Sequence, residues 1–72
     1  MRGRITLKVV DGLGRTVTTT SVAAYKNPVQ QERVCHSMLA QVRTRWTHCA
    51  ESDRAQWGYE AHDDSGHMVS YG

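Results

Sequence analysis

The stretch from Asn27 to Glu51, NPVQQERVCHSMLAQVRTRWTHCAE, carries the longest helical period in the chain, and its reading decides the fold. Asn27 is suited to cap a helix and Pro28 to stand at the first helical position, where its missing N–H is one of the groups a helix leaves unpaired. Gln30 follows at the position that completes a near capping box. At 100° per residue, Val34, Met38, Cys49, Val42, Cys35, Trp46, Leu39 and Ala50 fall within one arc of roughly 160°, with Arg33, His36, Ser37, Gln41, Thr44, Thr47 and His48 opposite. That division predicts a helix from Pro28 to about Glu51, roughly 36 Å long, lying on a sheet. No glycine marks its end, and Glu51 opposes the negative end of the helix dipole.

On the N-terminal side, Ile5, Leu7 and Val9 alternate with Thr6, Lys8 and Val10, the period of a half-buried strand. Asp11-Gly12-Leu13-Gly14 ends it. A three-residue loop with Gly14 in the left-handed region would set Val9 opposite Val17. The second strand, Arg15 to about Tyr25, carries Thr16, Thr18, Thr19 and Thr20 beside Val17 and Val22. Such a face reads as a solvated ladder or as an edge open to a partner strand. Beyond the helix, residues 57–61 predict a third strand, Asp63-Asp64-Ser65-Gly66 a turn, and residues 68–71 a short fourth strand. No internal repeat or linker is evident. The expected fold class is therefore α+β: a small single-layer antiparallel sheet with one long amphipathic helix packed on it, in ββαββ order, hairpin-helix-hairpin, with residues 1–72 as a single domain.

A chain of 72 residues is close to the size at which one core just offsets the entropy of folding, so both a monomer and a homodimer are expected states. No apolar run approaches the length of a membrane span and no signal-peptide core is present, so a cytoplasmic location and no membrane partner are expected. Net charge is +2, unevenly spread. Residues 1–45 hold eight basic side chains against two acidic, and residues 46–72 hold one against five.

Chemical motifs are sparse. On one unbroken helix Cys35 and Cys49 would stand about 21 Å apart, too far for a disulfide, and the pairs Cys35-His36 and His48-Cys49 would be too distant to share a zinc ion. Cys35 and His36 point about 100° apart, which does not make a thiolate pair. Gly12 and Gly14 complete neither a dinucleotide fingerprint nor a phosphate loop. His62, Asp63, Asp64 and His67 form the densest titratable group. A four-residue loop would set the two histidines opposite one another, while Asp-Asp-Ser-Gly is also an ordinary solvated turn. A helix on a small sheet rarely builds the concave pocket that acid/base catalysis needs. No cofactor and no metal are expected, and the chain is read as non-enzymatic.

Function then rests on the arginines. Arg2, Arg4, Arg15, Arg33, Arg43 and Arg45 are the candidate partner-binding residues. The reading they support is a small non-catalytic intracellular regulatory protein that docks on a larger protein or complex with an acidic surface and modulates or inhibits it. In size and economy such a chain resembles the small regulators of phages and mobile elements that act on host machinery such as RNA polymerase, a likeness carried by no motif. The alternatives are a nucleic-acid-binding module using the same basic residues, and a metal or acid/base site at His62, Asp63 and His67.

Overall fold

A computed structural model describes residues 3–72, so Arg2 of the candidate set lies outside the described residues. Strands β1 (Arg4–Val10) and β2 (Thr16–Ala23) form the first hairpin, α1 (Pro28–Arg45) and the single turn α2 (Glu51–Arg54) follow, and β3 (Gly58–His62) and β4 (Met68–Tyr71) form the second hairpin. One antiparallel sheet results, in the spatial order β2-β1-β3-β4, so β1 joins the hairpins by pairing with β3. The expected α+β class and ββαββ order are what the chain adopts.

The alternation in β1 sends Ile5, Leu7 and Val9 toward α1, where they meet Val22, Tyr59 and Ala61 of the sheet, Trp57 just before β3, and Cys35, Leu39 and Val42 of the helix. Trp46 and Met38 are only partly buried at the margin of this core. Gln31 is inside, although polar: its Oε1 accepts from Tyr25 N–H at 2.7 Å, and its Nε2 donates to Ala23 C=O at 3.1 Å. Asn27 caps α1 as predicted, accepting from Val29 N–H at 2.9 Å and Gln30 N–H at 3.3 Å.

Three expectations need correction. First, α1 stops at Arg45, not Glu51, with Trp46 turned out of helical geometry at ψ 60°. The cause lies later in the chain. Arg54 donates to the carbonyls of Arg43 and Cys49, and Arg43 reaches the carbonyl of Trp57, so side chains take up acceptors around the helix end and fold the link back. Cys49 therefore sits beyond α1, and the one-helix spacing of the two cysteines does not apply; both are free.

Second, the first loop has the expected three residues with Gly14 at φ 81°, but Val9 pairs with Thr18, because a bulge beside Val9 and Val10 takes up Val17. An extra residue there shifts the register by one while Val17 still packs against the core. Third, the second loop also has three residues. His62 pairs with Met68, so it does not face His67.

The hairpins share one construction that inspection of the sequence for repeats passes over. In each, the first Asp donates its N–H to the carbonyl four residues on (Asp11 to Arg15, 2.9 Å; Asp63 to His67, 3.0 Å) and accepts from a glycine with positive φ (Gly14, 81°; Gly66, 84°), each at 3.0 Å. A bulge follows at Val17 in one and Val69 in the other. The signal is Asp-x-x-Gly-basic-x-Val, at Asp11 and again at Asp63. Glycine is required in each loop because an L side chain in that conformation costs about 1–2 kcal/mol.

Candidate functional site

Only one face of the sheet is covered. The residues of β1 that alternate with its core positions, Arg4, Thr6, Lys8 and Val10, point away from α1. Register then builds the open face outward from them. On one side Ala23, Ser21 and Thr19 of β2 lie beside Arg4, Thr6 and Lys8. On the other, His62, Glu60 and Gly58 of β3 lie beside Thr6, Lys8 and Val10, followed by Met68 and Tyr71 of β4. Arg4 is drawn across β2 by two hydrogen bonds, Nε to Ser21 Oγ and Nη2 to Ser21 C=O, each 3.1 Å. Lys8 stands between Thr19 and Glu60. Val10, Met68, Tyr71 and Glu60 line a shallow depression of about 320 Å³ at the β4 end of this face.

The described arginines do not share one surface. Arg4 is on the open sheet face, whereas Arg33 and Arg45 are exposed on α1, which covers the other face. Arg15 is exposed at the first hairpin, its Nε 3.0 Å from Asp11 Oδ2. Arg43 is partly buried and committed to the Trp57 carbonyl, and its Nε is buried without a hydrogen-bond partner among the described residues. Lys8 joins Arg4 on the open face, a placement that the alternation of β1 carries in the sequence itself.

At the second loop, Asp63 Oδ1 accepts from Ser65 N–H at 2.9 Å and His67 N–H at 3.0 Å, and Oδ2 lies 3.8 Å from His67 Nδ1. That carboxylate holds the turn, while His62 pairs with Met68 on the open face. Among the described residues, no three His, Cys, Asp or Glu side chains are grouped to hold a metal ion. Cys35 is buried on the sheet-facing side of α1, and burial raises its thiol pKa. His36 packs edge-on against the Tyr59 ring at 5.2 Å, with Nε2 3.6 Å from Glu32 Oε1.

The early end of α1 also creates a cleft that an unbroken helix does not suggest. About 530 Å³ in volume, it lies between the first hairpin loop and the link from α1 to β3, and its walls include Leu13, Val17, Trp46, Cys49 and Trp57. Asp11 and Arg15 at its rim are engaged with each other, while His48, Asp53 and Gln56 also line it, so the cleft offers apolar and polar surface together.

No helix among the described residues is long and apolar enough to cross a membrane. No protein-family model, curated protein or solved structure matches the chain.

Proposed function

We propose that the protein is a small, non-catalytic, intracellular binding protein that docks on a larger macromolecular complex through the uncovered face of its sheet and modulates or inhibits that complex. The supporting observation is the composition of that face. Arg4 and Lys8 stand on the central strand β1 among Thr6, Thr19 and Ser21, with the exposed apolar side chains of Met68 and Tyr71 at one margin. Cations at the middle of a flat face fit an acidic protein surface and steer its approach, and the neighbouring apolar side chains supply area to bury. Arg33 and Arg45, on the opposite layer, are not required for this contact.

A second reading, binding to nucleic acid, is favoured by the same cluster of hydroxyls and cations, since Ser, Thr, Arg and Lys together supply most contacts to phosphates. Affinity capture from a native lysate, with and without nuclease, separates the two. Recovery of one large complex after nuclease, lost in the Arg4→Glu, Lys8→Glu double variant, supports docking on protein. Nuclease-sensitive recovery, with an affinity that falls steeply as salt rises, supports nucleic acid. Unchanged recovery by the double variant removes the open face from both readings.

A further inference from the structure

The two hairpins share more than their loops. The offset that takes Asp11, Gly14 and Val17 onto Asp63, Gly66 and Val69 also takes the core residues Ile5, Leu7 and Val9 onto Trp57, Tyr59 and Ala61. The pairing of β1 with β3 obeys the same exchange: Thr6 pairs with His62 and Val10 with Gly58, symmetrically about the pair Lys8 and Glu60. The backbone of the sheet therefore has an approximate twofold axis, normal to the sheet, between Lys8 and Glu60. The side chains of the open face break that symmetry. Lys8 stands where Glu60 does in the other hairpin, Thr19 where Tyr71 does, and Thr16 where Met68 does.

Across the axis runs one row of neighbours, Thr19, Lys8, Glu60 and Tyr71, one from each strand in the order β2-β1-β3-β4. The row spans three strand spacings, about 14 Å, with opposite charges at its centre and an aromatic ring beside the acid. Lys8 and Glu60 are half-buried, and among the described residues neither side chain has a hydrogen bond or an ion pair. The depression of about 320 Å³ at the β4 end of the row is lined by Val10, Tyr59, Glu60, Met68, Tyr71 and Gly72. The Glu60 carboxylate is thus bordered by the side chains of Val10 and Met68 and by Tyr71, which is 75% exposed.

We propose that this depression receives an arginine side chain of the docked protein, its guanidinium against the Tyr71 ring and paired with Glu60, while an acidic side chain of the same partner meets Lys8. The inference rests on the reading of the open face as a docking surface and gives that surface its anchor. A carboxylate without a counter-ion calls for a cation, and shape selects arginine over lysine. A shallow, open depression suits a planar group that stacks on an aromatic face and forks two N–H donors to a carboxylate, whereas an ammonium is a compact, strongly hydrated point charge. Met68 and Val10 cover the aliphatic stem. The asymmetry of the row then sets orientation. On a backbone that looks alike after half a turn, a partner with a basic and an acidic group side by side finds Glu60 and Lys8 in one pose, and the opposite pose sets like charges together.

The test is a chemical-shift titration of the full chain with N-acetylarginine amide, with N-acetyllysine amide and cytidine monophosphate as parallel probes. Arginine is expected to give saturable shifts centred on Val10, Glu60, Met68 and Tyr71, with a dissociation constant on the order of millimolar and lower than that of lysine. Tyr71→Ala and Glu60→Gln should each weaken binding about two- to fivefold, the range for an exposed cation on a ring or in an ion pair. Thr19→Ala, at the equivalent position in the other hairpin, should leave it unchanged, and Lys8→Met should tighten it by removing the neighbouring cation. Shifts spread over the other acidic side chains, equal binding of arginine and lysine, no effect of Glu60→Gln in a variant with the parent's melting temperature, or tighter binding of the nucleotide would each overturn the proposal. The capture experiment reads separately. A complex recovered through Arg4 and Lys8 while arginine fails to bind keeps the docking surface and removes this anchor, whereas arginine binding without a recovered complex supports the arginine subsite and removes the larger partner.

Discussion

Asp11 and Asp63 hold equivalent places in the two hairpins. Each accepts the backbone N–H groups two and four residues ahead through one oxygen, Leu13 and Arg15 for Asp11, Ser65 and His67 for Asp63. Each also turns its other oxygen toward the basic side chain at the fourth position, Arg15 Nε at 3.0 Å and His67 Nδ1 at 3.8 Å. One chemical device closes both ends of the sheet.

For Asp11 this device depends on charge. The Arg15 N–H above all, then the Leu13 N–H and the Arg15 guanidinium, outweigh partial desolvation and hold its carboxyl below the usual carboxylate range. A depressed pKa adds stability that is present above the unfolded value and lost as pH falls through the folded one. Asp11→Asn is therefore expected to be less stable than the parent at neutral pH, with the difference shrinking in acid below about pH 4. Urea melts at stepped pH measure it. A difference constant down to pH 2 would mean that the charge contributes nothing to the loop.

Gln31 joins the end of β2 to α1 by hydrogen bonds in both directions. Gln31→Ala should destabilise the chain by about 1–3 kcal/mol, because the partly buried Ala23 carbonyl loses its donor and the Tyr25 N–H its acceptor. Gln31→Glu is the sharper probe: it keeps an acceptor for Tyr25 N–H and sets a carboxylate oxygen against the Ala23 carbonyl. Thermal melts should rank parent above both variants, and a Gln31→Glu protein as stable as the parent would show that the donor is dispensable.

The two tryptophans should separate in a stability assay. Trp57 is 5% exposed and belongs to the core, whereas Trp46 is half-buried at its margin. Trp57→Ala is expected to cost about 3–5 kcal/mol, enough to unfold so small a domain, and Trp46→Ala distinctly less. Denaturant midpoints of the two variants give the order, and a reversed order would place the core elsewhere.

Cys35 and Tyr59 are both buried in their neutral forms. Burial raises the thiol pKa, partly countered by hydrogen bonds with Gln31 and Ser70; burial likewise raises that of the phenol, partly countered by Ser70, whose Oγ is 2.8 Å from the Tyr59 oxygen. The unfolded chain loses these protons first as pH rises. Stability is thus retained below the ordinary thiol and phenol values and falls above them. Melting temperatures from pH 7 to 11 should decline accordingly, and less steeply in Tyr59→Phe. Iodoacetamide should modify Cys49 well before Cys35 in the native protein, and equal rates would show that the fold does not shield Cys35.

Period and capping chemistry made most of this architecture legible. Asn27-Pro28 marked the start of α1, the alternation of Ile5, Leu7 and Val9 marked β1, and Asp-x-x-Gly marked both turns. What escaped depended on contacts distant in sequence. The end of α1 is set by Arg54 and Trp57, which no helical wheel includes. The bulge at Val17 is a property of two paired strands and is invisible in one. Of the site, Arg4 was legible, but Arg43 had a polar side chain and a permissive position while its partner, the Trp57 carbonyl, could come only from the fold. Gln31 falls within the apolar arc of the helix, but a polar side chain is buried there only because Tyr25 and Ala23 supply its partners, which the helical period does not show.

The pairing of β1 with β3 also bears on how the chain assembles. Each hairpin closes over a three-residue loop and can form from local contacts, whereas Val9 must find Tyr59 across most of the chain before the core can fill. Local turns form fast, and the encounter of distant strands carries the entropic barrier. The seam between the two central strands, and not either Asp-x-x-Gly turn, therefore sets the pace of folding, and a substitution that weakens β1–β3 pairing should slow refolding more than one that weakens either loop.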